Sequence, residues 1–258
     1  MEDTPRSESS SQPSAPPEHA GCGIPSPRGA PADRLLTRWE HVVARDPEHT
    51  SRYIRRFEDL RRDGADLDGE ARLIDAMAPR AARVLDAGCG SGRIGGALAR
   101  RGHIVVGVDI DPALIAAAER DHPADEQLGA TWLHGDLAHL DALDDRLPAP
   151  VRDGFDLVVC GGNVMTFLAP GTAAAVLRGF RQRLTPEGRA VIGFGTRRGY
   201  DPEQFAEDAR GAGFDGLQRF STWDLRPWDG NSGFLVAVLS SGPGTELRPG
   251  SRPESGES

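Results

Sequence analysis

The sequence predicts a doubly wound α/β domain around a mostly parallel sheet. Three observations carry that expectation. Short apolar runs alternate with helix-like stretches from Arg83 onward, the Val84-Leu85 run suits a strand buried in a sheet, and that run opens into a glycine-rich turn. Strands of a parallel sheet are covered on both faces, which is why continuous rather than alternating apolarity marks them.

The elements follow in chain order. Residues 1–33 are rich in Ser, Pro, Glu and Gly and poor in large apolar side chains, so their composition does not offset the entropy of ordering. The same holds for 241–258, and both are expected to be disordered tails around a domain over 34–240. Leu35–Ala44 and Ser51–Arg61 read as short amphipathic helices, the second starting after the capping candidates Thr50 and Ser51. A third helix runs from Leu67 to Met77 and is stopped by Pro79.

The strand–helix alternation then begins. Strands are expected at Arg83–Asp86, Ile104–Asp109, Thr131–His134, Phe155–Cys160 and Arg189–Phe194. Helices are expected at Ser91–Arg101, Pro112–Asp121, Gly171–Leu184 and Pro202–Ala212, with Pro112 suited to a first turn. Leu217–Trp223 and Phe234–Leu239 have no helix between them and read as an antiparallel pair at the sheet edge. Ligands of such a sheet bind beyond the carboxyl ends of its strands.

Composition removes several function classes. The chain has 258 residues, with 39 acidic against 30 basic side chains and a formal charge of −9, so no nucleic-acid or anionic-membrane affinity is expected. All the basic residues are arginine, which excludes Schiff-base lysines, catalytic lysines and the P-loop lysine. Cys22, Cys89 and Cys160 have neither metal-ligand nor redox-motif spacing, so no metal site is expected. The amino terminus lacks the charged start and apolar stretch of a signal peptide, and no run is long enough for a bilayer. A cytoplasmic setting is the expectation.

The stretch Val84-Leu85-Asp86-Ala87-Gly88-Cys89-Gly90-Ser91-Gly92-Arg93 is a strand–loop–helix cradle. Its glycines allow close backbone approach, and the helix that follows turns free N–H groups toward the loop. Two ligands compete for such a cradle. The dinucleotide fingerprint requires a third glycine where Arg93 stands, so that pattern fails. The acid at Asp86 repels a pyrophosphate and suits a ligand with an ammonium group.

Val84–Arg93, Gly107-Val108-Asp109, Gly135-Asp136-Leu137, Phe155–Cys160 with Gly161-Gly162-Asn163, and Leu184-Thr185-Pro186-Glu187-Gly188-Arg189 occur in that order. Together they resemble the successive motifs of the class I S-adenosylmethionine-dependent methyltransferases, over about Ala81 to Leu239. The resemblance implies a Rossmann-like seven-stranded sheet whose last strand is antiparallel, and S-adenosyl-L-methionine as cofactor. It assigns Asp109 to the ribose hydroxyls, a role its carboxylate suits. Asp111, next to Pro112, is the better helix cap. Asp136 is matched to the acceptor of the adenine amino group, with Leu137 adjoining, and Asp86 to the acid that orients the methionine end. Gly88, Cys89, Gly90, Arg93, Cys160 and Asn163 complete the expected cofactor set. Ile110 reads either as a cover for the adenine face or as core packing. Cys89 and Cys160 read as small apolar fillers rather than nucleophiles, and His103 and His134 as structural histidines.

The acceptor pocket is expected at the ends of the fourth and fifth strands, near Asn163, Met165, Thr196, Arg197, Arg198 and Tyr200. The Asn/Asp-Pro-Pro-aromatic motif of adenine- and glutamine-methylating relatives is replaced here by Gly161-Gly162-Asn163-Val164-Met165. Trp39, Tyr53 and Arg56 are lid candidates, with packing of the early helices as the competing reading. The aromatic segment Trp223–Trp228 reads as a substrate platform or an oligomer contact. The function expected is methyl transfer to a small-molecule acceptor. The alternatives are a non-catalytic S-adenosylmethionine-binding module and an aminopropyl-transfer relative.

Overall fold

The computed structural model describes residues 24–123 and 129–241; Cys22 and the tail over 242–258 lie outside that range. Three helices come first: α1 (Arg38–Arg45), α2 (His49–Arg62) and α3 (Gly69–Met77). Then follow β1 (Arg83–Ala87), α4 (Arg93–Ala99), β2 (Ile104–Asp109), α5 (Pro112–Asp121) and β3 (Ala130–His134). After two 3₁₀ stretches, at Leu137–Arg146 and Ala149–Val151, come β4 (Phe155–Cys160), α6 (Val164–Phe167), α7 (Ala173–Arg183) and β5 (Leu184–Gly195). The described chain closes with α8 (Pro202–Gly211), β6 (Gly216–Phe220) and β7 (Phe234–Ser240).

The seven strands form one sheet in the order β3-β2-β1-β4-β5-β7-β6. Neighbours from β3 to β5 pair in parallel, while β7 runs antiparallel between β5 and β6. Strand order reverses between β1 and β4, which opens a crevice beyond their carboxyl ends. Successive β1 residues serve opposite faces: Val84 joins the cluster with Ile94, Leu98 and Val105, and Leu85 the cluster with Val106, Val158 and Phe180.

Most element ends have a local cause. Thr37 and Glu40 form a reciprocal capping box at α1. Asp111 caps α5 and Asp201 caps α8, each with proline in the first turn. Some sequence expectations shift. Helix α2 starts at His49, ahead of the expected caps, because the Thr50 hydroxyl is used elsewhere. Strand β5 begins at Leu184, since Phe155 pairs with Leu184 while Leu157 pairs with Arg189, and the Thr185–Gly188 stretch bulges between them. Residues 24–33, expected to be unordered, include Ile24, buried with Trp39, Val43 and Leu114. Helix α6 and the 3₁₀ stretches carry no clear periodicity and were not expected.

Candidate functional site

A cavity of about 300 Å³ lies beyond the carboxyl ends of β1, β2 and β4. Its floor is the glycine loop. Gly88, Gly90 and Gly92 all have positive φ, and the N–H groups of Gly88 and Cys89 donate to the Val108 carbonyl. Gly88 shows why the loop needs glycine: a Cβ there would stand 2.3 Å from Val164 Cγ2, on a backbone at φ +76°. The loop and α6 are thereby pressed together.

Asp109 closes β2 and is 8% exposed. Its Oδ2 accepts from the Gly90 N–H and its Oδ1 from the Asp111 N–H, both at 2.9 Å. Each oxygen keeps lone-pair capacity for a ligand donor. Burial pushes its carboxyl up to about 6, against the two N–H groups that favour the charge. Asp111 is the cap expected of it: Oδ1 accepts from Ala113 N–H at 2.9 Å, and Oδ2 accepts from Trp39 Nε1 (2.9 Å) and the Thr50 hydroxyl (2.5 Å).

At the other end of the cavity, the Asp136 carboxylate accepts from Ala138 N–H at 2.9 Å, and its Oδ2 lies 3.5 Å from Arg34. Arg34 also pairs with Glu40, and all three side chains are at most 5% exposed. Leu137 and Ile110 add apolar wall, with Ile110 also packed against the Trp39 cluster. Cys89 lines the floor, and burial raises its thiol well above the usual range, so it is no thiolate. Arg93 lines the wall, but its terminal nitrogens donate to Glu70 at 2.7 and 2.8 Å and to the Leu67 carbonyl at 2.6 Å. Asn163 adopts the left-handed conformation, and its Oδ1 accepts from Gly195 N–H at 2.7 Å, tying β4 to β5.

Thus Gly88, Cys89, Gly90, Arg93, Asp109, Ile110, Asp136, Leu137 and Asn163 come together on one cavity. Two expected residues do not line it. Asp86 lies on the Val84 face of β1, below α4, and accepts from Gly95 N–H at 2.8 Å. Burial there pushes its carboxyl up to about 7. Cys160 is fully buried in the opposite core cluster, and burial raises its thiol as well. Both are covered by the helices packed on their strand faces.

Of the lid candidates, Trp39, Tyr53 and Arg56 all line the cavity, joined by Phe57 and Phe167. Trp39 meets the Tyr53 ring at 5.5 Å and the Phe167 ring at 5.6 Å. Thr37, His49, Leu114, Val164 and Leu168 belong to the wall too; only the helical spacing of the early aromatics hinted at this. Trp223 and Trp228 do not line it. The Trp223 indole lies across Gly193, where a Cβ would stand 2.5 Å from Cζ2, and Trp228 packs on the other core face. His103 is structural as expected, with Ala82 N–H donating to Nδ1 and Asp75 facing Nε2. Among the described residues, no His/Cys/Asp/Glu group has the arrangement to hold a metal, and no helix is long and apolar enough to cross a membrane.

Comparison with known proteins agrees with this geometry. A family described as a methyltransferase domain matches residues 84–188. The crystal structure of a TehB-like SAM-dependent methyltransferase from Corynebacterium glutamicum is 45% identical, with a TM-score of 0.66. The alignment covers 76% of this chain and 99% of that one. This chain belongs to the S-adenosylmethionine-dependent methyltransferases. Among curated relatives, a ribosomal RNA small subunit methyltransferase C from Chromohalobacter salexigens is 31% identical over 134 residues, 48% of this chain. A magnesium-protoporphyrin O-methyltransferase from Rhodobacter capsulatus is 34% identical over 143 residues, 54% of this chain. The methyltransferase spans only 36% and 56% of those two relatives' lengths. The cofactor of the family is S-adenosylmethionine, and the seven-stranded mixed sheet is its fold.

Proposed function

We propose that this methyltransferase uses the strand-end cavity to hold S-adenosylmethionine and transfers its methyl group to a small-molecule acceptor. The observation that carries the reading is Asp109: a carboxylate at a strand end, fixed by two backbone N–H groups, with capacity left for the two ribose hydroxyls. In this reading Asp136, held by Arg34 and Ala138, accepts from the adenine amino group. Leu137 and Ile110 flank the ring, and the bare backbone of Gly88, Cys89 and Gly90 lies under the thioether. Arg93 and Asp86 act indirectly. Arg93 ties α3 to the loop through Glu70, and Asp86 holds the start of α4 through Gly95. Asn163 fixes the rim between β4 and β5, on the acceptor side.

When bound, the cofactor supplies a sulfonium methyl whose departure is driven by its own leaving group. The chain's contribution is alignment, which can supply roughly 7–11 kcal/mol of barrier reduction in favourable cases. Neither Tyr53 nor Cys89 is a base at neutral pH, since burial raises both. The surplus of acid over base, with a net charge of −9, supports a small acceptor over RNA.

The test is a screen of small metabolites and of ribosomal RNA with methyl-labelled cofactor. Label is expected in a small molecule and not in RNA. Tight cofactor binding with no transfer to any acceptor would identify a binding module instead, and binding of NAD in its place would refute the site assignment.

A further inference from the structure

A second cavity, of about 280 Å³, adjoins the first on the side of β4 and β5. Helix α6 and the loop after β5 serve both. Val164 and Arg198 line the cofactor cavity, Met165 and Gly199 line the second, and Leu168 lines the two together. Asn163, Met165, Arg198 and Tyr200, all expected near an acceptor from the sequence, are thus divided between adjoining cavities.

Positive charge collects where the cavities meet. The Arg198 side chain crosses the end of β5, its Cδ 3.1 Å and its Nε 3.4 Å from where a Cβ on Gly195 would stand. Arg38 reaches the next residue of that loop, with Nη1 3.2 Å from where a Cβ on Gly199 would stand. Glycine at both positions makes the room. Arg38 donates to the Thr166 carbonyl at 3.3 Å, and neither guanidinium has a carboxylate partner among the described residues. Arg93, on the wall of the cofactor cavity, is neutralised by Glu70 instead. In a chain with a formal charge of −9, two neighbouring cations without counter-charge complement an anion.

The other walls narrow the class of anion. Asp208 lines the second cavity, but it accepts from the Tyr200 hydroxyl at 2.7 Å and from Gln204 Nε2 at 3.1 Å, not from either arginine. Its charge opposes a dianionic phosphate more than a single carboxylate. Met165, Leu168 and Pro170 supply an apolar wall for a carbon body.

Resting on the cofactor reading above, we propose that the acceptor is a small carboxylic acid whose carboxylate is bound by Arg38 and Arg198 at the second cavity. Its methyl-accepting atom then faces the cofactor cavity, and the carboxylate is an anchor that orients it. Helix α1 thereby belongs to the acceptor site.

The test uses the full chain, methyl-labelled cofactor and a set of small aromatic and aliphatic carboxylic acids, each beside its neutral amide and its phosphate-bearing counterpart. Label is expected in acids, with kcat/KM at least about tenfold above the matched amides. On the best acid, Arg38→Gln and Arg198→Gln are each expected to raise KM about tenfold and leave kcat within about threefold. Arg38→Lys is expected to recover part of the loss. Both side chains are exposed, and the affinity of each variant for S-adenosylhomocysteine, expected within about twofold of wild type, checks that it folds. Amides or phosphates methylated as well as the acids, or an acid whose KM the variants leave unchanged, would overturn the proposal. So would S-adenosylhomocysteine binding with no transfer to any acid. Wild-type protein that does not bind S-adenosylhomocysteine would instead overturn the cofactor reading itself.

Discussion

The floor and the roof of the cavity are built by different physics. The floor, from Gly88 to Arg93 with Asp109, is made of backbone: positive-φ glycines, N–H groups on the Val108 carbonyl and a carboxylate at a strand end. Its backbone hydrogen bonds join the ends of the neighbouring strands β1 and β2. The roof, from Arg34 to Phe57, is held to the sheet by long-range polar side chains. Trp39 and Thr50 reach Asp111, and Arg34 reaches Asp136. The floor is therefore specified by local rules and the roof by partners 61 to 102 residues away.

Breaking one region at a time sharpens that difference. The largest effect is expected in the roof. Arg34→Met strips a buried cation from Glu40 and Asp136, and losing one partner of a buried pair costs about 3–5 kcal/mol. Denaturant unfolding should show it, with an early transition for the first two helices while the sheet persists. In the floor, Gly88→Ala drives a Cβ into Val164 on a left-handed backbone. The expected cost is about 2–4 kcal/mol, read as a lower melting temperature together with weaker cofactor binding. Trp39→Phe keeps the ring contacts but removes the indole N–H from Asp111. Its expected cost is about 1–3 kcal/mol, with less effect on the floor.

A further test concerns pH. Burial raises Asp86 to about 7 and Asp109 to about 6 from an ordinary 3.8. The folded chain thus binds protons that the unfolded chain releases, so these groups contribute stability that is full below about pH 4 and lost as pH rises through about 6 to 7. Asp86→Asn keeps an acceptor for Gly95 N–H and cannot ionise. Melting curves across that window should fall less steeply than those of the wild type.

The same division explains what the sequence could and could not tell. Strands β2 and β4 and helix α5 fall where the apolar runs and the Asp111-Pro112 cap place them. The antiparallel pairing of β6 and β7 follows from the helix missing between the last two runs. Asp109, Asp136 and the glycines converge because strand ends and tight turns leave their traces in local sequence. Asp86 does not line the cavity because one step of strand alternation turns its side chain from the crevice to the α4 face. Cys160 is absent from the wall for a similar reason, since a strand end lies at the cavity only if its side chain faces the right way. The roof was legible only as amphipathic helices. Nothing in Thr50 announces a bond to Asp111, and the place of Tyr53 and Arg56 on the cavity wall depends on where α2 docks.

In the proposed cofactor site, Asp109 accepts the ribose hydroxyls of S-adenosylmethionine as an ionised carboxylate. Calorimetric titration of S-adenosylhomocysteine into wild type and Asp109→Asn, at pH about 8 and about 5, tests it directly. Because burial raises the carboxyl to about 6, wild-type affinity should fall toward the lower pH as protonation competes with the ligand. The variant should bind at least about tenfold more weakly at the higher pH and show a flatter profile. Equal affinity of the two proteins at both pH values would contradict the account.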